Sequence, residues 1–132
     1  MKKNFWYIPE IKKIGFYCKA NSKKIFFLEP SKIWQMRSDR ESSKIELVDG
    51  SVYRVRGSAR SILLETRKYR LPFFEAKRGL IINFKYVTEV ELVNSMVYLI
   101  MIKPGGSRKV LRTIKSRWHK ARKQFGIQSV GD

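Results

Sequence analysis

Between residues 13 and 125 the chain alternates short apolar runs with polar clusters, a spacing of strands and turns with two helical interruptions. "GFYCKA" (15–20) and "KIFFLE" (24–29) predict two strands joined by a polar turn, "NSKK". "KIWQMR" (32–37) alternates apolar and polar positions and predicts a third strand, followed by a polar loop "SDRESS" (38–43). "KIELV" and "VYRVR" flank Asp49-Gly50, a hairpin signal. A three-residue turn over Asp49 to Ser51 sets Ile45 opposite Val55, Leu47 opposite Tyr53 and Glu46 opposite Arg54. That register gives one apolar face and one salt-bridged face.

"GSARSILLETRKY" (57–69) predicts a helix capped by Ser58, with Ile62, Leu63, Thr66 and Tyr69 on one face and Leu71-Pro72 ending it. Residues 84–93 read as a half-buried strand, with Phe84, Tyr86, Val90 and Leu92 on one side and Lys85, Glu89 and Glu91 on the other. "MVYLIMI" (96–102) is continuously apolar and β-rich, the mark of a central strand. Pro104-Gly105-Gly106 turns the chain into a last strand, "RKVLRTI" (108–114). "KSRWHKARKQF" (115–125) is a helix closed by Gly126, with Ile114, Trp118, Ala121 and Phe125 along one stripe and basic residues elsewhere. The fold class is therefore mainly β and antiparallel, with a short helix in the middle and one at the end.

One stretch resists a bland reading. In "FFEAKRGLIINFKYVTEV" (73–90) a basic tip, Lys77-Arg78-Gly79, sits between two groups of core-seeking residues, Phe73-Phe74 and Leu80-Ile81-Ile82. Anchors on both sides would hold the tip rigid against something acidic.

Charge supports that reading. The 132 residues carry 29 Lys and Arg against 11 Asp and Glu, a formal net charge of +18, while 43% hydrophobic content argues for one packed domain. So large an excess repels itself and points to a nucleic acid, an anionic membrane or an acidic protein as partner. From Lys103 to Phe125 there are nine Lys or Arg and no acid. Clustered positive charge gives phosphate affinity by counterion release, whereas base reading needs a few well-held donors, preferably Arg. Arg78, beside Gly79, fits that need.

Other chemistry is poorly supported. A single cysteine, Cys18, expected as a small buried hydrophobe, excludes an intrachain disulfide and a thiolate metal cluster and suits a reducing cytoplasm. The longest apolar run, Met96 to Ile102, has seven residues, too few to span a bilayer, and the N-terminus lacks the apolar core of a secretory signal. His119 is the only histidine and lies within the basic helix, and no P-loop or dinucleotide fingerprint occurs. No enzyme activity, metal or cofactor is expected.

The order of these elements resembles the LytTR-type DNA-binding domain of bacterial transcriptional regulators. The family shows a stretch resembling F-F-x-x-H-R-S-x-I-V-N-x-x-Y-I-x-x-I. Here it reads Phe73-Phe74-Glu75-Ala76-Lys77-Arg78-Gly79-Leu80-Ile81-Ile82-Asn83, then Tyr86-Val87 and Val90. "KKIFFLEPSKIWQMRS", "IELVDGSVYRVRGSARSI" and "IKSRWHKARKQF" resemble three further family segments in the right order. Pro9 and the scattered charges around it set off residues 1–13 as an N-terminal arm, whose Phe5, Trp6, Tyr7 and Ile8 can still dock on the fold; 14–126 is the domain and 127–132 a tail. The resemblance implies an elongated, sandwich-like arrangement of small antiparallel sheets whose loops, not a recognition helix, enter successive major grooves of direct-repeat sites in double-stranded DNA. Arg78 and Arg117 are then the side chains for base edges, with Ser116, Ser42 and Ser43 as further base contacts. Arg40, Lys44, Lys77, Arg112, Lys115 and Lys120 are the phosphate contacts, and Asn83 satisfies backbone groups. Lys77 stands where the family has histidine and Gly79 where it has serine. The resemblance also implies a sequence-specific, stand-alone cytoplasmic transcriptional regulator, dimeric on DNA, with a regulatory partner and without phosphorylation control in this chain. The rival expectations are a basic adaptor for an acidic protein or anionic membrane surface, and a non-specific or RNA binder.

Overall fold

The computed structural model describes residues 4–18 and 21–128. Eleven strands and two α-helices follow in order: β1 Phe5–Ile8, β2 Lys13–Cys18, β3 Asn21–Leu28, β4 Ile33–Asp39, β5 Ser42–Leu47, β6 Val52–Arg56, α1 Ala59–Lys68, β7 Phe73–Lys77, β8 Leu80–Asn83, β9 Val87–Val93, β10 Met96–Ile102, β11 Arg108–Ile114 and α2 Lys115–Phe125. The larger sheet has eight strands in the order β1-β2-β6-β5-β4-β8-β7, with β3 also on β2. The smaller has three, β11-β10-β9. Every strand pair is antiparallel. The expected mainly-β class with a middle and a terminal helix is the one observed.

Two cores explain the double apolar anchors. Ile14, Phe16, Ile33, Met36, Ile45 and Val55 pack with Ile62 and Leu63 of α1 on one side of the larger sheet. Trp34, Phe74, Leu80 and Ile82 pack on the other side against Val97, Leu99, Met101 and Leu111 of the smaller sheet and Ala121 of α2. Strands β4, β7 and β8 lie between the two cores. Successive side chains of a strand point to opposite faces. Phe73 and Ile81 therefore enter the first core, and Phe74, Leu80 and Ile82 enter the second. A strand covered on both faces needs a continuous apolar run, which is what "LII" supplies. Each such side chain, fully withdrawn from water, contributes about 1.5–3 kcal/mol.

Several boundaries differ from the sequence expectation. Residues 5–8, within the expected N-terminal arm, form β1 on β2, and Phe5 is buried in the first core. "NSKK" is not a turn, since β3 begins at Asn21 and Cys18 pairs with Asn21; residues 19–20 lie outside the described residues. The loop "SDRESS" shrinks to a turn at Arg40-Glu41, because Ser38 and Asp39 continue β4 while Ser42 and Ser43 begin β5. Residues 84–86 form a 3-10 turn capped by Asn83 instead of strand, so β9 starts at Val87 and Leu92 is exposed. Cys18 is half-buried.

The Asp49-Gly50 hairpin is present in a different register. Ile45 faces Tyr53 and Lys44 faces Arg54. The loop is Val48-Asp49-Gly50, one residue earlier than expected: the Leu47 N–H donates to Ser51 O, and Val48 N–H is drawn aside to Lys32 O. Asp49 Oδ1 accepts from Ser51 N–H, and Gly50 adopts φ +93°. A three-residue loop with a left-handed glycine is a favoured hairpin closure. The pairing shifts by two residues, so every side chain keeps its face. The salt bridge does not survive, because Glu46 faces Val52 and Arg54 instead pairs with Asp39.

Candidate nucleic-acid interface

The β7–β8 hairpin carries the basic tip. Lys77 and Arg78 are exposed, and the residues on either side, Ala76 and Leu80, are buried. Its register slips between Glu75 and Lys77, which frees the carbonyl of Ala76 from the ladder. Thr113 of β11 fills the vacancy, its hydroxyl donating to Ala76 O at 2.6 Å. Gly79 is needed at the turn on two counts. Its φ is +79°, and a Cβ there would lie 3.3 Å from Ser38 Cβ.

Polar contacts fix the tip more specifically than the apolar anchors do. Ser38 N–H donates to Gly79 O at 2.8 Å, tying the tip to β4 just before the Arg40-Glu41 turn. Gly79 N–H donates to Glu75 Oε2 at 3.3 Å. The other oxygen of Glu75 accepts from Arg117 Nη1 at 2.9 Å, and the same nitrogen lies 3.3 Å from Glu75 O. Ser38 also holds α1, since its hydroxyl accepts from Ala59 N–H at 3.1 Å. The β4–β5 turn, the β7–β8 tip and the first turn of α2 are thus joined at one end of the larger sheet. Burial alone would raise the carboxyl pKa of Glu75, but the Arg117 hydrogen bond, the Gly79 N–H and the nearby Arg117 and Arg60 charges outweigh it. The net shift is downward, so Glu75 is held as a carboxylate.

Beside the tip lies an open groove of about 970 Å³. Arg37, Arg60, Lys77, Arg78, Lys109 and Arg117 line it, with Glu75 as the one acid. That acid is already engaged by Arg117. Lys109 donates to Gln35 Oε1; burial, then the neighbouring Arg37 charge, lowers its pKa. A second recess shares Lys77, Arg78 and Arg117 and adds Arg112. The field at this end is positive, with exposed donors on its rim.

The structure brings Lys77, Arg78, Arg112 and Arg117 together and places the other expected contacts variously. Arg40 is exposed at the adjoining turn, and Lys44 is half-buried on β5. Lys115 and Lys120 line other clefts, on either side of α2, and Ser116 is exposed in its first turn. Ser42 and Ser43 are turned inward. They are 2% and 0% exposed, and their hydroxyls donate to Asp39 O and Gly57 O. They sit on a paired strand, so neither hydroxyl is presented to an outside partner. Arg117 is half-buried and engaged by Glu75, a geometry that suits bracing the tip. Asn83 satisfies backbone as expected: its Nδ2 donates to Pro30 O and Ile33 O, and its Oδ1 accepts from Lys85 N–H. Trp118 packs on the second core with Phe84, not outward.

Sequence reasoning missed Arg37, Arg60, Lys109 and the organising role of Glu75. The first three reach the groove from β4, α1 and β11, which adjoin only in three dimensions. Glu75 had a local signal, an acid four residues before a turn glycine.

This arrangement is the LytTR-type fold. A solved LytTr DNA-binding domain from Bacillus cereus is similar, with a TM-score of 0.55 and 18% identity, over 86% of this chain and 97% of that one. No family model matches the chain, and no curated protein matches it. Among the described residues no helix is long and apolar enough to cross a membrane, and no group of His, Cys, Asp and Glu is arranged to hold a metal.

Proposed function

We propose that this protein binds double-stranded DNA with sequence preference and regulates transcription, as a binding module without catalytic activity. The observation that carries the reading is the convergence at one end of the sheet. A pinned tip bearing Lys77 and Arg78 adjoins a groove whose only acid is neutralised by Arg117. The β7–β8 tip is the reader, entering a major groove, where Arg78 is free to address base edges. Lys77, Arg37 and Arg60 neutralise flanking phosphates and set register without reading sequence. Arg117 acts chiefly through Glu75 as a positioning residue. The solved Bacillus cereus domain is a DNA-binding domain, and the shared fold supports the same reading.

The test is selection from a random duplex library, then binding of the recovered site and a scrambled control across a salt series. A site bound about 10³-fold or more tighter than control near 0.15 M salt supports sequence readout. Equal binding of both, collapsing together with salt, would leave only a general polyanion surface.

A further inference from the structure

The outward face of the three-stranded sheet belongs to neither core and is divided by charge. The register sets Val93, Met96 and Ile114 in one row, Glu91, Tyr98 and Arg112 in the next, and Glu89, Ile100 and Val110 in a third. Ile102 and Arg108 end the face. Val93, Ile102, Val110 and Ile114 are 43%, 38%, 48% and 50% exposed, Met96 and Tyr98 are half-buried, and Ile100 at the centre is 4% exposed. The middle strand is therefore apolar, one edge strand is acidic and the other basic. Glu89 and Glu91 are the only acids between residues 76 and 131. Neighbouring strands are about 4.8 Å apart, so Glu91 and Arg112 are about 10 Å apart within one chain. Among the described residues neither these glutamates nor Arg108 and Arg112 have an ion-pair partner.

We propose that this face is the contact with a second copy of the chain, packed sheet on sheet with the two-fold axis along β10. Rotation about that axis lays β9 of each copy over β11 of the other, so Glu89 and Glu91 meet the partner copy's basic edge twice over. Rotation about an axis across the strands would set acid over acid. The charge pattern thus selects one of the two sheet-on-sheet pairings. An isologous contact of this kind closes on itself as a dimer. Aligned sheet packing tolerates the twist of both sheets. The face measures about 20 Å by about 15 Å, from seven residues per strand and three strands. That is below the ~800 Å² per partner of a standard interface, so the association is weak. The +18 charge on each copy opposes it further, and a bound polyanion would relieve that opposition.

The axis has a consequence that rests on the DNA reading above, whereas self-association does not. Met96 and Ile114, at one end of the face, share a recess with Lys77 and Arg78. An axis along β10 brings both tips out at the same end of the pair. Two tips related by a two-fold axis match inverted half-sites, not the direct repeats that the family resemblance implies.

The test is sedimentation of the full chain without DNA, over the widest soluble concentration range. The parent should self-associate. Glu89→Arg with Glu91→Arg makes the face wholly basic, and Arg108→Glu with Arg112→Glu makes it wholly acidic; each variant alone should lose the dimer. An equimolar mixture of the two should regain it as a heterodimer, which also shows that both variants are folded. A parent that stays monomeric, variants that associate as the parent does, or a mixture without heterodimer while both retain parental near-UV dichroism would each overturn the proposal. None of these outcomes depends on whether the chain reads DNA.

Discussion

Replacing Glu75 with Gln separates two explanations of the basic end of the molecule. The substitution keeps shape and removes one negative charge from a cationic groove. By charge alone it should strengthen DNA binding, because the field becomes more positive. By the bracing geometry it should do the opposite to specific binding. A neutral amide cannot hold both Gly79 N–H and the Arg117 guanidinium as a carboxylate does. Glu75 and Arg117 side chains are 22% and 27% exposed, so the pair is neither a surface ion pair nor a fully buried one. A charge-assisted hydrogen bond is worth about 1.5–3 kcal/mol in a protected site, and partial exposure reduces it. A loss of about 1–2 kcal/mol is expected, read as a fall of roughly 1 M in the urea midpoint.

The pH dependence has a fixed sign. The folded pKa of Glu75 lies below its ordinary value, so its stabilisation is fully present above the ordinary carboxylate range. It is lost as pH falls through the depressed folded pKa, and parent and variant should converge in acid. Fluorescence anisotropy on the selected and scrambled duplexes then gives the specificity ratio. The bracing argument requires that ratio to fall in Glu75→Gln. A variant that binds both duplexes more tightly at an unchanged ratio, with the urea midpoint unmoved, would refute it.

Three further outcomes are expected. Arg78→Ala, at the exposed tip, should weaken the selected site by about 1–3 kcal/mol and relax preference at one position while leaving the urea midpoint in place. Asn83→Ala should cost about 2–3 kcal/mol of stability, because it strips hydrogen bonds from the buried Ile33 carbonyl and from the partly buried backbone groups of Pro30 and Lys85; chemical denaturation measures it. Ser43→Ala should cost about 1 kcal/mol of stability through the lost bond to Gly57 O but leave the DNA specificity ratio unchanged; a changed ratio would restore this hydroxyl as a base contact.

How much of this was legible beforehand follows from the range of the forces involved. Local periodicity located β10, β11 and α2 at their observed bounds, because a continuous β-rich run, the Asn94-Ser95 and Pro104-Gly105-Gly106 turns and a left-handed closing glycine are all local signals. The Ser58 cap and the Asn83 backbone ties were likewise readable from residue chemistry. The tip was recognisable as basic and anchored from eighteen consecutive residues. Parity also survived where register failed: the Asp49-Gly50 hairpin shifted by two residues and kept its faces, since face depends on parity and register on the turn.

Only tertiary structure decided the rest. Nothing local says that Phe73 and Phe74 serve different cores, because that requires a second sheet to arrive from residues 87–114. Ser42 and Ser43 resemble exposed loop hydroxyls until β4, β5 and the Gly57 carbonyl enclose them. Arg117 resembles a free reader until Glu75, forty-two residues earlier, closes on it. The amino-acid sequence by itself determined most of the strands, the charge and the basic tip, since these follow from neighbours in the chain. Which charges face outward and which brace one another was settled by contacts between distant segments, where burial and pairing depend on what packs alongside.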